Sequence, residues 1–337
     1  MKKAVRQADI AKALGVSIVT VSKALSGKSG VGPELRQEIL KYAKELGYVS
    51  PPQVKETPPA LNFALIHHEK FVEQNISFYS KLTHQLMTYV QEAGDYLLSE
   101  FVSYEAEQDL VLPRLITEER NDWLIILGNF AKEYLRFLSE TVKVPYILLD
   151  SYGLGIGSDA ILSDGYHGAY TMTNYLFGLG HTKIAYVGTP LATGSITDRF
   201  FGYEKSFTEH GQRTRQDYII PDRGEDGILY PADRLRLPEE MPTAFFCNCD
   251  MTASVLIRRL QQEGYRVPED ISVVGFDNFV PPGSCDIAIT SYEVDIGRMA
   301  QCAVKLLSRK IRKMSYRKGL YIMEGHIVIK DSAGRLR

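Results

Sequence analysis

From Leu61 onward, short apolar runs alternate with amphipathic stretches of helical length, and that alternation leaves few possible architectures. Candidate strands cover 61–67, 96–101, 123–127, 146–149, 160–163, 184–188, 244–247 and 272–276. Candidate helices cover 79–93, 106–116, 165–179, 199–210 and 251–263. Strands this short and continuously apolar are covered on both faces, which means parallel sheets between layers of helices. About 275 residues of this pattern exceed one usual core, so two doubly wound lobes are expected.

The first 48 residues follow a different pattern. Two short helical stretches flank Gly15, and a third runs from Pro33 to Leu46 with Gly32 before it and Gly47 after it. Ile10, Leu14, Val16, Val21 and Leu25 can form a small core, with Ala11 where the first two helices cross. That leaves Ile18, Val19, Ser22 and Lys23 facing outward on the second helix. Two β-branched apolar residues at an exposed helix start suit thymine methyl groups in a major groove. Lys23 can donate to guanine O6/N7 or to a phosphate, and Ser17, Thr20 and Ser22 suit phosphate contacts that fix register. The competing reading places Ile18 and Val19 in the head's own core. The pattern is a helix-turn-helix, which implies double-stranded DNA as partner.

Charge supports a divided chain. Residues 1–60 hold ten Lys/Arg against five Asp/Glu, while the remainder holds 29 against 36. A basic head on an acidic body suits a polyanion-binding module attached to something else. Residues 50–59, SPPQVKETPP, read as a linker. No run of about 18 apolar residues predicts a membrane span. The basic N-terminus lacks the apolar core of a signal peptide, so a cytoplasmic protein is expected. The spacing of Cys247, Cys249, Cys285 and Cys302 matches no zinc or redox pattern. No cofactor and no metal are expected. His67–His68 lacks a spaced third ligand, and 247–249 (CNC) reads as a strand end.

The segments GVSIVTVSKALSG (15–27) and KELGY (44–48) resemble the lactose-repressor (LacI/GalR) family of bacterial transcription regulators. So do NYLFGLGHTKIAYVG (174–188), DRFFGY (198–203) and, most specifically, VPEDISVVGFDN (267–278). The resemblance spans essentially the whole chain. It implies an α/β chain with an N-terminal three-helix helix-turn-helix head and a two-lobed, doubly wound, periplasmic-binding-protein-like effector domain. The expected divisions are a head at 1–49, a linker at 50–60 and an effector and dimerisation domain at 61–337. Within the last, the N-lobe takes about 61–162 and 292–322, and the C-lobe about 163–291 and 323–337. The resemblance also implies a homodimer on a pseudo-palindromic operator. One stretch departs from the family pattern: the linker is proline-rich, and Thr57 stands about where a minor-groove leucine is usual. Weaker DNA bending is therefore expected.

Ligands of open α/β sheets sit at the carboxyl ends of strands. That rule points to His67, His68, Gly128, Asn129, Asp150, Thr189, residues 248–250 and Asp277. By resemblance, Arg199 and Asp277 match polar positions that hold an effector, and Phe78 and Tyr79 match an aromatic position lining the cleft. The expected effector residues are Phe78, Tyr79, Asp150, Arg199, Asp250 and Asp277, with a sugar as ligand by family likeness. Structural readings stand beside these: an ion pair for Arg199 and Asp277, core packing for Phe78 or Tyr79, and a helix N-cap for Asp250. A purine or nucleoside, or a phosphorylated partner protein at the basic run 310–313, are the alternative signals. The helix within 291–307 is expected to contribute to the dimer interface. A solute-binding protein would lack residues 5–48. An enzyme would need a catalytic motif, and GLGIG (153–157) lacks the strand–turn–helix context of a dinucleotide site.

Overall fold

The computed structural model describes residues 5–48, 60–71, 78–153, 159–225, 227–311, 314–315 and 317–336. It divides into two compact units, 1–59 and 60–337. The linker 50–59, Thr57 included, lies outside the described residues, as do 154–157 of the glycine-rich stretch and 312–313 of the basic run.

Among its described residues the first unit holds three helices, α1 (Gln7–Leu14), α2 (Ile18–Leu25) and α3 (Pro33–Glu45). Gly15 ends α1 at φ 64°, the left-handed conformation that favours glycine. Ser17 starts α2, its Oγ accepting the Thr20 amide at 3.0 Å. Ile10, Ala11, Val21, Ala24, Ile39 and Ala43 form the buried centre, with Leu14, Val16 and Leu25 packed at its margin.

The second unit continues with β1 (Asn62–His68), α4 (Phe78–Glu92), β2 (Tyr96–Val102), α5 (Tyr104–Gln108), α6 (Arg114–Thr117), β3 (Trp123–Leu127), α7 (Lys132–Thr141), β4 (Tyr146–Leu149) and β5 (Asp159–Ser163). Then follow α8 (Gly165–Gly178), β6 (Ile184–Val187), α9 (Gly194–Glu209), β7 (Ile219–Ile220), β8 (Ala244–Cys247), α10 (Asp250–Gln262) and β9 (Ser272–Asp277). The unit ends with β10 (Thr290–Glu293), α11 (Ile296–Ile311), β11 (Leu320–Met323) and β12 (His326–Val328).

These strands make two six-stranded sheets, ordered β11-β5-β4-β3-β1-β2 and β12-β10-β9-β8-β6-β7. All neighbouring pairs are parallel except β10–β12. In each sheet the order reverses beside its first strand, between β1 and β3 and between β6 and β8, which is where open α/β sheets bind ligands. Both faces of the inner strands are covered, as their apolar runs require, while the edge strands β2 and β11 are partly exposed. Phe63 and Leu65 join one buried cluster while Ala64 and Ile66 join another, and Phe246 and Phe245 divide likewise on β8. The chain crosses between the sheets three times, after β5, after β10 and after β11.

Three expected elements differ. The helix expected at 106–116 is two short ones, α5 and α6, because Pro113 cannot continue the first and instead precedes the second. The helix expected from Arg199 starts at Gly194, where the Thr193 hydroxyl accepts the Ile196 amide at 3.1 Å. Strand β10 precedes the helix expected within 291–307, and the apolar residues Met299, Ala300, Ala303, Val304 and Leu307 of α11 are buried in its own unit.

Candidate DNA-reading helix and effector cleft

Helix α2 buries Val21 and Ala24 and leaves Ile18 and Val19 53% and 63% exposed. The head's core is therefore filled without them. Ser22 and Lys23 are exposed on the next turn, so all four share one face. Ser17 and Thr20 share a hydroxyl hydrogen bond of 2.8 Å at the start of the helix.

In the second unit the carboxyl ends of the strands gather the charged residues. Asp150 follows β4, is 7% exposed and has φ 57°. Asp277 ends β9 at φ 90°, followed by Asn278 at φ 49°. Such conformations cost non-glycine residues energy and persist where the surroundings impose them. Tyr79, in the first turn of α4, donates its phenol to Asp150 Oδ2 at 2.9 Å. Phe78 packs edge-on against Tyr79, with ring centres 5.5 Å apart. Arg199 in α9 is 6% exposed. It donates to the Asn248 carbonyl at 2.6 Å and to Asp277 Oδ1 at 2.9 Å, and its guanidinium lies 3.9 Å from the Phe276 ring centre.

Electrostatics joins these groups. Burial pushes the Asp150 carboxyl up to about 6, against the opposing pull of Arg199. Burial raises Tyr79 well above an ordinary phenol, and Asp150 adds to this. Burial also raises Asp277, against Arg199. Burial disfavours the Arg199 charge, but Asp277 and Asp150 outweigh it. Tyr79, Asp150, Arg199 and Asp277 are thus brought together by four separate elements. Beside them a small pocket is lined by Asn129, Asp150, Ser151, Tyr152, Ser163, Ser195 and Asp198. The Ser151 hydroxyl of that pocket is buried with no protein partner among the described residues, as is the Arg199 Nε beside it in α9, and buried polar atoms normally have one.

Asp250 is placed differently. Its helix starts at Asp250 itself, with Cys249 at the N-cap position, so its carboxylate is not the cap. Instead it accepts from the Phe279 amide and the Ser291 hydroxyl, both at 2.8 Å. Gly275 makes room for it, since a Cβ there would lie 1.9 Å from Asp250 Oδ1. Asp250 therefore anchors the backbone after Asp277. His67 meets Ser99 at 2.9 Å and His68 meets Glu107 at 3.3 Å. Among the described residues no group of three or more His, Cys, Asp or Glu is arranged to hold a metal ion, and no helix is long and apolar enough to cross a membrane. The four cysteines are free.

A larger groove of about 820 Å³ runs between α4 and the later crossovers, lined by Lys81, His84, Glu293, Arg298, Glu324 and His326 among others. Lys81, His84, Arg298, Glu324 and His326 are exposed, whereas Asp150, buried and on strained backbone, lines the smaller pocket and joins it to Tyr79 and the Arg199–Asp277 pair. We place the candidate site there. Sequence reasoning missed Ser151, Tyr152 and Asp198 in its wall, and Arg223 beyond it. Ser151, Tyr152 and Arg223 sit on connections with no periodic signal, and Asp198 lies in the first turns of α9, which starts earlier than expected.

A helix-turn-helix head on a body of two doubly wound sheets defines a class, the DNA-binding regulatory proteins with a periplasmic-binding-protein-like body. Residues 8–51 match the model of bacterial regulatory proteins of the lacI family, and residues 173–333 that of the periplasmic binding protein-like domain. The chain therefore joins a LacI-family DNA-binding domain to a periplasmic-binding-protein-like domain. It is 27% identical to the HTH-type transcriptional repressor PurR of Vibrio campbellii over 338 residues, 97% of this chain and 98% of that protein. Among solved structures it is similar to the transcriptional regulator CelR–cellobiose complex, at 20% identity and TM-score 0.68, over 97% of this chain and 99% of that one. It is also similar to the lac repressor dimer bound to operator and the anti-inducer ONPF, at 21% identity and TM-score 0.66, over 98% and 100%.

Proposed function

We propose that this regulator is a homodimeric, cytoplasmic repressor whose affinity for a pseudo-palindromic operator is set by a sugar held at the facing carboxyl ends of the two sheets. The observation that carries the reading is the convergence of Tyr79, Asp150, Arg199 and Asp277, two of them on strained backbone, beside a pocket with unpartnered buried polar atoms. Carboxylates accept sugar hydroxyls, the guanidinium donates to ring or hydroxyl oxygens, and Phe78 and Tyr79 offer apolar faces. The solved relative in complex with cellobiose supports a sugar. Relatives named PurR favour the second reading, a purine or nucleoside in the same cleft.

On DNA, Ile18 and Val19 would meet thymine methyls, Ser22 and Lys23 base edges or phosphates, and Ser17 and Thr20 the backbone at the helix start. Regulation follows if the effector prefers one angle between the sheets, because differential affinity for two states is what shifts operator binding. The test is selection of bound sequences from random duplex DNA by the full-length chain. Enrichment of a pseudo-palindrome that the Ile18→Ala/Lys23→Ala variant fails to enrich is expected. Enrichment of no sequence, or of the same sequences by that variant, would remove the reading.

A further inference from the structure

A second guanidinium stands on the C-lobe side of the cleft, at the place where the strand order of its sheet reverses. Asp222 follows β7 and is fully buried. Its Oδ1 accepts from the Thr189 amide at 2.9 Å, the Thr189 hydroxyl at 3.1 Å and Arg223 Nε at 3.1 Å. Its Oδ2 accepts from Asn248 Nδ2 at 2.7 Å, the Thr252 hydroxyl at 2.8 Å and Arg223 Nη2 at 2.7 Å. Asn248 Nδ2 also donates to the Val187 carbonyl at 3.0 Å. Thr189, Asn248 and Thr252 therefore tie the ends of β6, β7 and β8 to one carboxylate, and that carboxylate clamps one edge of Arg223.

Among the described residues the other edge carries only one long contact. Arg223 Nη1 has no hydrogen-bond partner among the described residues, and Nη2 reaches Asn248 Oδ1 at 3.5 Å. The side chain is 17% exposed. Asn248 links it to the candidate site, because the Asn248 carbonyl accepts from Arg199. The charge of Arg223 acts on Asp277 and Cys249, holding both down against burial. A guanidinium fixed at one edge and lightly held at the other, at a topological switch point, is a fork for a pair of oxygens. At the other end of the site, the Asp150 and Asp198 carboxylates and the Ser151 and Tyr152 hydroxyls offer partners for hydroxyl groups.

We propose that Arg223 is an effector-binding residue and that the effector is a sugar acid, its carboxylate on the lightly held edge of Arg223 and its hydroxyls toward Asp150 and Asp198. This rests on the cleft reading above and deepens it.

The test is calorimetric titration of the full-length chain with D-galacturonate, D-gluconate, D-galactose, D-glucose, hypoxanthine and guanine, with thermal melts and circular dichroism to show that each variant folds. A sugar acid is expected to bind, with affinity falling tenfold or more in Arg223→Gln and less in Arg223→Lys, which keeps charge without the fork. Binding by neutral sugars or purines alone, an acid affinity unchanged in Arg223→Gln, or no binding by either acid at millimolar concentration each overturns the proposal. The two readings fail separately. A neutral sugar lost in Asp277→Asn but retained in Arg223→Gln keeps the cleft and removes the role of Arg223. A ligand indifferent to both substitutions removes the cleft as well.

Discussion

Asp150 shows how a buried side chain couples stability to pH. Its folded carboxyl titrates near 6 instead of 3.8, so between those values the folded chain keeps a proton that the unfolded chain releases. The folded state is then favoured most below about pH 4, and the ionised carboxylate is carried at full cost above about pH 6. Asp150→Asn removes that charge and keeps an acceptor for Tyr79. It should raise the melting temperature at pH 7.5, by about 1–3 kcal/mol of stability, with the gain gone at pH 4. Melts across pH check this, and a gain independent of pH would contradict it. His67 acts in the opposite sense. Burial lowers it to about 4, so the stability it contributes above pH 6.5 is lost as pH falls through 4. His67→Gln should flatten that part of the acid limb. Strand-end positions such as Asp150 and Asp277 were legible at this scale because the carboxyl-end rule needs only strand ends. The anchoring role of Asp250 was not, since Phe279 and Ser291 are distant in the chain and adjacent only after folding.

Elements were legible where periodicity is strong and blurred where a single residue redirects the chain. All eight expected strands appear, most of them as continuous apolar runs such as Trp123–Leu127 and Ala244–Cys247. Strands β7, β10, β11 and β12 were not expected, being two to four residues long or less apolar. The pair α8–α9 gives a sharp test of packing. A Cβ on Gly202 would lie 2.1 Å from the Tyr166 carbonyl oxygen and 2.9 Å from the Ala169 Cβ, so the helices would have to separate. Gly202→Ala should cost about 1–3 kcal/mol by denaturant melts. Gly178→Ala, where nothing lies within 4 Å, should instead gain about 0.5–1 kcal/mol by reducing unfolded-state freedom. Equal effects from the two would show that contact at the crossing is not what matters.

At the scale of the molecule, two lobes were legible from length and repetition, but the antiparallel β12 and the exact crossings were not. Where the chain passes from one sheet to the other depends on sheet edges, and edges are set by long-range pairing. The Asp277–Arg199 pair belongs to one sheet and its helices and the Tyr79–Asp150 bond to the other, and the two sheets are joined by three crossings.

The late position of β11 and β12 also governs how the chain is born. The head needs nothing beyond residue 48 for its buried centre, so it can fold early on the ribosome. Both body sheets wait for residues 320–328 to gain their last strands. The C-lobe waits longer still, for Ser332 to join the Val273 carbonyl to the Thr290 amide. A chain clipped at 319 should therefore keep a protease-resistant head and lose cooperative unfolding of the body. Stalled translation or C-terminal proteolysis would then leave a folded head without a folded body.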